Sequence, residues 1–389
     1  MEQSRYEKRG VSSDKNEVHK AIKRLDHGLF KHAFCKVLPN PFSQKKEDAI
    51  ILHADTAGTK TILAYLYWKE TGDLSVWKGI AQDALVMNLD DMACCGLTEE
   101  FVLSNTILRN KQIIPGQVIE AIIDGTVEFI DKMKSFGIQI HHAGGETADV
   151  GDVVRTVDVG FTAFAQTNKS KIFENKVQPG DFILGLFSAG QTTYEDEFNS
   201  GIGCNGLTNA RHDVLDKQYA VQYPESFDPH IDDSLVYSGK YKMTDSYTAG
   251  NQLYSIGKLL LSPTRTYIPF LKELFRSEIQ GLHGVIHCTG GAHSKVLKFV
   301  EGVNIIKDNM PAPPEIFKII KDSSGNSDEE LYKVLNMGIR LEIYGDSTAV
   351  RRAAAIADQF VIQNQIIGRV EYSAQSKVTM KIQGREWTY

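Results

Sequence analysis

Two stretches of the chain carry apolar residues at helical spacing, Leu74–Leu89 and Gly116–Phe136. In the second stretch the residues that share one helical face are Val118, Ile122, Phe129, Ile130 and Met133. Such a spacing predicts amphipathic helices that pack on a core. The first helix ends near two adjacent carboxylates, Asp90 and Asp91.

Shorter apolar or alternating runs predict strands between the helices. These runs are Ala49–Ala54, Ile138–His142, Val153–Ala165, Phe182–Phe187, Gly284–Thr289, Met337–Tyr344 and Ile367–Tyr372. Further helices are predicted near Asn16–Lys23, from Ser262-Pro263, from about His293, at Glu315–Ile320 and at Ser347–Phe360. Because strands and helices mix in both halves, we predict an α/β fold of the α+β type. It has two domains, each a mixed or antiparallel sheet flanked by helices.

A break into polar residues near Thr167–Ser170 separates the two halves. We place the domain boundary there, which gives an N-terminal domain of residues 1–168 and a C-terminal domain of residues 169–389. Residues 191–251 are rich in Tyr, Asp, Ser and Gly and have few aliphatic side chains. They predict a long elaboration of the second domain, part of which we expect to act as a lid.

Composition narrows the class of protein. The 389 residues carry a formal net charge of −6, which argues against a nucleic-acid or anionic-membrane partner. No apolar run reaches the length of about 18 residues that a membrane-spanning helix needs, and Met1–Tyr6 has no apolar core typical of a signal peptide. The five cysteines are odd in number and lack metal-ligand spacing, so we expect a reducing cytoplasm.

Three short segments place carboxylates beside glycine, or beside a hydroxyl and a lysine. They are Asp55–Lys60, Asp90–Gly96 and Ala143–Asp149. Carboxylates hold Mg²⁺, glycine lets backbone N–H groups approach phosphate oxygens, and lysine neutralises phosphate charge. Taken singly, each segment has an ordinary explanation as a turn. Together they predict a nucleotide site with an acidic cluster.

These segments, in this order, resemble the aminoimidazole ribonucleotide synthetase (phosphoribosylformylglycinamidine cyclo-ligase) family. Gly144–Asp149 is similar to the family's Gly-Gly-Glu-Thr-Ala-Glu. The other segments that resemble family motifs are Tyr6–Val11, Asp55–Lys60, Asp90–Gly96, Ser262–Tyr267, His287–Gly291, Asn336–Ile339 and Ile367-Gly368. The resemblance runs from residue 6 to about residue 372, which is nearly the whole chain.

The chain also departs from the family pattern. Thr56 replaces a usual glycine, and Asp90 stands where the family usually has asparagine. Gly203-Cys204 replaces a His-Ser pair, and about a dozen extra residues precede it. These departures bear more on the residues expected to bind the substrate than on those expected to bind the nucleotide.

The resemblance implies ATP-driven ring closure of formylglycinamidine ribonucleotide to aminoimidazole ribonucleotide, with release of ADP and phosphate. It also implies Mg²⁺, a site in a cleft between the domains, and a homodimer in which the N-terminal domains pair. The implied metal ligands are Asp55, Asp91 and Glu146, with Asp90 as an additional candidate.

The resemblance assigns further candidate roles. The residues expected to bind ATP or substrate phosphates are Asp55, Gly58, Thr59, Lys60, Gly144, Gly145, Thr289, Gly290 and Gly291. The candidate catalytic residues are Lys60, Asp91 and His287, the last as a proton-transfer group. A lone histidine such as His287 is more often a core residue than a catalyst, so this assignment depends on the ordered set of motifs.

Two alternatives stay open. The chain is also compatible with another ATP-using enzyme of the same superfamily: selenophosphate synthetase, thiamine-monophosphate kinase or the hydrogenase-maturation enzyme. In the first two an aspartate precedes the second glycine turn, where this chain has His287. The other alternative is a non-catalytic nucleotide-binding relative, for which Gly203-Cys204 is the one supporting feature.

Overall fold

The computed structural model describes residues 5–11, 21, 26–249 and 252–389. Two large β-sheets form the centres of two domains, and helices flank both. This confirms the predicted fold class. The helix expected near Asn16–Lys23 lies outside the described residues except for Ala21. Among the described helices, none has both the length and the apolar character needed to cross a bilayer.

The first sheet is built from residues 38–168. Its strands are β1 (Leu38–Pro39), β2 (Asp48–Thr56), β3 (Glu100–Arg109), β4 (Gln139–Asp149) and β5 (Val157–Asn168). The helices of this part are α1 (Arg5–Lys8), α2 (Lys60–Thr71), α3 (Val76–Ala93) and α4 (Gly116–Ser135). The strand order is β1-β2-β5-β3-β4, antiparallel except for the parallel pair β3–β4.

The two faces of this sheet differ. Helix α3 packs across β2 and β5 on one face, and its apolar residues join those of the strands in one core. On the opposite face Leu52 and Val102 are 61% and 38% exposed. Phe164 of β5 pairs with both of them, so an apolar row crosses three strands of the open face.

The second sheet is built from residues 182–388. Its strands are β6 (Phe182–Phe187), β9 (Leu282–His287), β10 (Val303–Lys307), β11 (Ile339–Gly345), β12 (Asn364–Tyr372), β13 (Lys377–Ile382) and β14 (Arg385–Thr388). The order is β14-β13-β10-β12-β6-β11-β9, antiparallel except between β10 and β13. Every residue of β11 is buried, as expected for a strand inside a covered sheet. Its helices are α8 (Ile268–Arg276), α9 (Glu315–Ser324), α10 (Asp328–Val334) and α11 (Ser347–Gln359).

Residues 191–249 form short packed elements instead of an irregular excursion. These elements are α5 (Leu207–Val214), α6 (Gln218–Gln222) and β7 (Ser246–Ala249), and they are followed by β8 (Gln252–Ser255) and α7 (Ile256–Leu261). Leu207, Tyr219 and Tyr237 are fully buried, and Glu195 forms an ion pair with Arg265 at 2.6 Å. Much of this segment is therefore packed into the molecule, and the lid expected of part of it stays a prediction.

Buried hydrogen bonds join α3 to the extended segment before α8. Oδ1 of Asp83 accepts from the backbone N–H of Thr264 (2.7 Å) and from its hydroxyl (2.6 Å). The Asp90 carboxylate accepts from the hydroxyl of Thr266 (2.6 Å) and the N–H of Tyr267 (2.8 Å). The two aspartates are seven residues apart, about two helical turns, so they share one face of α3.

The contact between this segment and α3 explains why the predicted start of one helix is wrong. Ser262-Pro263 was expected to begin a helix, but the helix begins at Ile268. The N–H groups of Thr264 and Tyr267 find acceptors on α3, so the extended backbone between them is satisfied without helical hydrogen bonds.

Two further bounds differ from the predictions. The strand expected from Val153 begins at Val157, because the backbone turns at Val150, whose carbonyl accepts from the N–H of Val153 at 2.8 Å. The strand expected to end at His142 continues to Asp149. The domain boundary at residue 168 stays a prediction, and it falls at the end of β5.

We expect Asp83→Ala to lower the free energy of unfolding by about 3–5 kcal/mol, because it leaves a buried charge without a partner. That charge is the Lys60 ammonium, which lies 2.9 Å from Asp83 with both side chains fully buried. Equilibrium urea unfolding measures the change.

The matched control is Asp196→Ala, which removes an ion pair with Lys132 whose carboxylate is 86% exposed. This control should change stability by less than about 1 kcal/mol. Equal losses in both variants would contradict a special role for the Asp83–Lys60 pair.

Candidate active site

Asp91 lies near the end of α3 between two imidazole rings. Its Oδ1 lies 2.7 Å from Nδ1 of His287, at the end of β9, and its Oδ2 lies 3.7 Å from Nε2 of His53 on β2. The Asp91 carboxylate is thus positioned by one residue from each domain.

A second carboxylate lies close to the first. Asp55 stands at the end of β2, where its Oδ1 accepts from the N–H of Thr56 at 2.7 Å. Burial raises the pKa of Asp55, and the charge of Asp91 adds to the increase. The charge of Asp91 acts on the Asp55 carboxyl group, so the two groups are close enough for their charges to interact.

Lys295 is a cation whose charge acts on both carboxylates. It lies in the 3₁₀ helix Ala292–Lys298, and its Nζ donates to the hydroxyl of Thr289 at 2.6 Å. Burial alone would raise the pKa of Asp91, but Lys295 and His287 together hold it below its usual value. Lys295 also acts to lower the pKa of Asp55.

The sequence analysis did not assign Lys295 or His53. A lysine on the helix that follows a glycine turn is one pattern that could have identified Lys295. No comparable pattern marks His53, because its position depends on the packing of α3 against β2.

The donor set of Asp55 and Asp91 suits Mg²⁺. Both groups supply carboxylate oxygens, the ligands that this hard cation prefers, and one or two protein carboxylates plus substrate phosphates form a typical site. Burial, and to a smaller extent the charge of Asp91, disfavours the ionised form of Asp55. A bound cation would favour that form.

His287 occupies a different position from the one expected of a proton-transfer group. It is fully buried, and Nε of Arg340 donates to its Nε2 at 3.1 Å. Nδ1 therefore carries the ring proton and donates to Asp91. Burial, reinforced by Arg340, lowers the pKa of His287 to about 4. With both ring nitrogens engaged, His287 orients Asp91, and we revise its expected catalytic role accordingly.

Asp90 also requires a correction. It is fully buried, and its two oxygens accept from Thr266 and Tyr267. Burial raises the pKa of Asp90 to about 7 in spite of these hydrogen bonds. A carboxyl group that is enclosed between the domains and holds its proton up to neutral pH is not suited to bind a metal ion.

Lys60 does not face the carboxylate cluster. At the first position of α2 its ammonium is fully buried, 2.9 Å from Asp83 and 2.6 Å from the carbonyl of Ser262. Its expected contact with phosphate is therefore replaced by a structural one, and Lys295 is the lysine that is close to Asp55 and Asp91.

Glu146 is not brought to Asp55 and Asp91 within one chain. It pairs with Thr106, which pairs with Gly160, which pairs with Thr56. Three strand spacings of about 4.8 Å therefore separate Glu146 from Thr56. Lateral partners point to the same face of a sheet, so Glu146 shares the open face with Thr56, and Asp55 points to the other.

The glycines beside Glu146 have a structural explanation. Gly144 has a positive φ of 86° at a register shift between β3 and β4. A Cβ on Gly145 would lie 2.1 Å from the carbonyl oxygen of Asn105. Both glycines are thus required by a bulged strand, although the sequence predicted a phosphate-binding turn.

The glycine turn after β9 has the predicted form. Gly291, at φ 91°, precedes the 3₁₀ helix that carries Lys295, and little surrounds Gly290 except Nδ2 of Asn205, 4.0 Å from a Cβ placed there. Oδ1 of Asn205 is buried and has no hydrogen-bond partner among the described residues. An unpaired buried acceptor at an open turn is typical of a site that receives a ligand.

Gly58 and Thr59 lie at the turn between β2 and α2. Space is open around Gly58, and the Thr59 hydroxyl lies 2.8 Å from that of Thr208 on α5. Both threonines line a cavity of about 520 Å³ whose wall includes Arg155 and Arg211. This cavity offers hydroxyl and guanidinium donors for an anionic ligand.

The fold is similar to that of PurL from T. maritima. The structure complexed with FGAR has a TM-score of 0.53 at 13% identity, covering 96% of this chain and 49% of that one. The structure complexed with ADP has a TM-score of 0.52 at 12% identity, covering 96% and 48%. This chain spans about half the length of PurL, and at such identity the likeness concerns the fold alone.

Sequence comparison defines the family. Residues 35–167 match the model of the AIR synthase related protein, N-terminal domain. A phosphoribosylformylglycinamidine cyclo-ligase of Saccharolobus solfataricus is 31% identical over 295 residues, covering 76% of this chain and 71% of the relative. One of Methanocaldococcus jannaschii is 28% identical over 323 residues, covering 82% and 78%. The chain belongs to the phosphoribosylformylglycinamidine cyclo-ligase family, which is a family of enzymes.

We predict that Asp90→Asn removes a pH-dependent loss of stability. The unfolded carboxyl group ionises near pH 4, whereas the folded one ionises with a pKa of about 7. Between these values the folded state keeps a proton that the unfolded state has lost, so wild-type stability falls as the pH rises.

From pH 5 to pH 7 this fall amounts to about 2 kcal/mol, because the slope of about 1.4 kcal/mol per pH unit halves as the folded carboxyl group approaches its own pKa. Urea unfolding at several pH values should show a flatter profile for Asp90→Asn than for the wild type. Asp196→Asn, at an exposed carboxylate, should follow the wild type. Parallel profiles for all three proteins would show that Asp90 does not titrate as stated.

Proposed function

We propose that this protein catalyses the ATP-dependent ring closure of formylglycinamidine ribonucleotide to aminoimidazole ribonucleotide, a step of purine biosynthesis, with release of ADP and phosphate. The observation that carries the proposal is the cluster of Asp55, Asp91 and Lys295 between the two domains of a chain that belongs to the cyclo-ligase family.

The reaction has two parts. The γ-phosphoryl group moves from ATP to the formamide oxygen of the substrate, which breaks the bond to ADP and forms a new P–O bond. The neighbouring amidine nitrogen then attacks the activated carbon, a C–N bond closes the ring, and the C–O bond to phosphate breaks. Phosphoryl transfer depends mainly on positioning and on neutralisation of charge, so the chain needs few reactive side chains.

The residues described above can meet these needs. Asp55 and Asp91 would hold Mg²⁺, which neutralises phosphate charge when bound. Lys295 would bind a phosphate oxygen, and the N–H groups at Gly290 and Gly291 are donors on an open turn. The structure of PurL from T. maritima, which has a similar fold, is complexed with ADP. This supports a nucleotide ligand for the present chain.

The cavity beside Thr59 is the proposed binding site for a phosphate group of the ribonucleotide. Its hydroxyl and guanidinium groups suit the phosphate of a ribonucleotide. We propose that ATP and the substrate share the region between Asp91 and this cavity, in the cleft expected between domains 1–168 and 169–389.

We further propose a homodimer in which the open faces of the first sheet meet. The row formed by Leu52, Phe164 and Val102 is an exposed apolar surface, and such a surface favours burial against a partner. Glu146 lies on the same open face, away from Asp55 and Asp91. A second copy is therefore the proposed means by which Glu146 takes part in a complete site.

Purified protein with Mg-ATP should release ADP only when formylglycinamidine ribonucleotide is present, with an equal amount of aminoimidazole ribonucleotide. Asp91→Asn should reduce this turnover by more than about 100-fold, above the loss typical of a residue that only supports a metal ligand. Asp196→Asn, at an exposed carboxylate, should leave it unchanged.

ATP binding without stimulation by this substrate would contradict the proposal and would point to a different acceptor. Stimulated ADP release that persists in Asp91→Asn would contradict the proposed metal site instead.

For the dimer, we expect Leu52→Asp to raise the dissociation constant at least about tenfold, because about 1.4 kcal/mol of lost interface energy suffices for that change. Size-exclusion chromatography with light scattering over a dilution series measures it. Val221→Asp is the matched control, since Val221 is 79% exposed and lies on α6, which is not part of the sheet. Equal behaviour of the two variants would argue against this interface.

A further inference from the structure

Arg340 links the second sheet to the candidate site. It lies on the buried strand β11 and is 1% exposed. Its Nε donates to Nε2 of His287 at 3.1 Å, and its Nη2 lies 3.3 Å from the sulfur of Met87 on α3. Because His287 contacts Asp91, a continuous chain of hydrogen bonds runs from Arg340 to the carboxylate.

The guanidinium group fills the space beside Gly203. A Cβ built on Gly203 would lie 2.1 Å from Nη1 and 3.1 Å from Cζ of Arg340. Any side chain at position 203 would therefore displace the guanidinium. A group from β11 therefore occupies the space that a side chain of the loop would otherwise take.

We propose that Arg340 is a positioning residue that takes the place of a side chain at position 203 and, through His287, fixes the orientation of the Asp91 carboxylate. The expected effect on turnover rests on the proposed function. The contacts of Arg340 with Gly203 and His287, and of His287 with Asp91, do not depend on it.

The chemistry of arginine explains why this residue is suited to the role. A guanidinium group donates hydrogen bonds and never accepts them. Facing Arg340, Nε2 of His287 must accept, so the ring proton must be on Nδ1, where it is donated to Oδ1 of Asp91. The ionised Asp91 carboxylate can only accept as well, so both neighbours require the same tautomer, and Arg340 holds the ring in the orientation in which Nδ1 donates to Oδ1 of Asp91. The second oxygen of Asp91 is left directed toward His53.

The test compares two ways of removing the guanidinium from its position. Arg340→Met keeps a long side chain without donors, and Gly203→Ala keeps the arginine but places a methyl group against it. Histidine-selective ¹⁵N NMR of the full chain reports the tautomer of each of the 11 histidines, and His287→Gln assigns the resonances of His287.

In the wild type we expect His287 to show a protonated Nδ1 and an unprotonated Nε2 whose resonance carries the shift of a nitrogen that accepts a hydrogen bond. Both variants should lose this shift of Nε2, while Nδ1 stays protonated because Asp91 still accepts from it. Both should also lower kcat about 10- to 100-fold, the loss typical of a residue that orients a metal ligand, while the KM for ATP stays unchanged.

Gly325→Ala is the matched control. Gly325 has φ 67°, against 69° for Gly203, and has open space around its Cα. It therefore carries the same backbone strain without the collision, and it should keep the wild-type histidine spectrum and kcat.

An Nε2 resonance of His287 that is unchanged in folded Arg340→Met, as judged by circular dichroism, would overturn the inference. So would a wild-type kcat in both variants. If the wild type shows no substrate-stimulated ADP release, the proposed function fails, but the NMR measurement still decides whether Arg340 donates to His287.

Discussion

The contact between α3 and the extended segment before α8 is the interaction on which the rest of the structure depends. Asp83 and Asp90, two turns apart, accept every polar hydrogen that Thr264, Thr266 and Tyr267 direct at the helix. A buried donor or acceptor that loses its partner lowers the stability of the folded state. The segment can therefore occupy one register on the helix, and this register sets how the two domains face each other.

Neighbouring residues of α3 have different environments because of this arrangement. Asp90 points into the contact between the domains, and Asp91 is turned by about 100° from it around the helix axis. Asp90 keeps a high pKa through burial, whereas Asp91 meets Lys295 and His287 and has a low one. The two adjacent aspartates thus have different roles: Asp90 is structural, and Asp91 is suited to bind a cation.

The sequence predicted the fold class and much of the local structure, since those depend on residues near one another. The helix predicted at Gly116–Phe136 is present at Gly116–Ser135, and Phe182–Phe187 is a strand as predicted. The charge of Asp91 acts on Asp55, as expected for the predicted acidic cluster, and its role as a metal site stays a prediction. Lys60 was misjudged because its partner, Asp83, lies on another helix, and Lys295 was missed because only tertiary packing brings it to the cluster.

The position of Glu146 shows a more general limit. Motifs that occur in order along a chain predict parts of one site, but the register of the first sheet places Glu146 and Asp55 on opposite faces. Sequence alone cannot distinguish residues that meet within one chain from residues that meet across two copies. An open apolar face that carries Glu146 favours the second arrangement, because burial of that face and completion of the site would then occur in one association step.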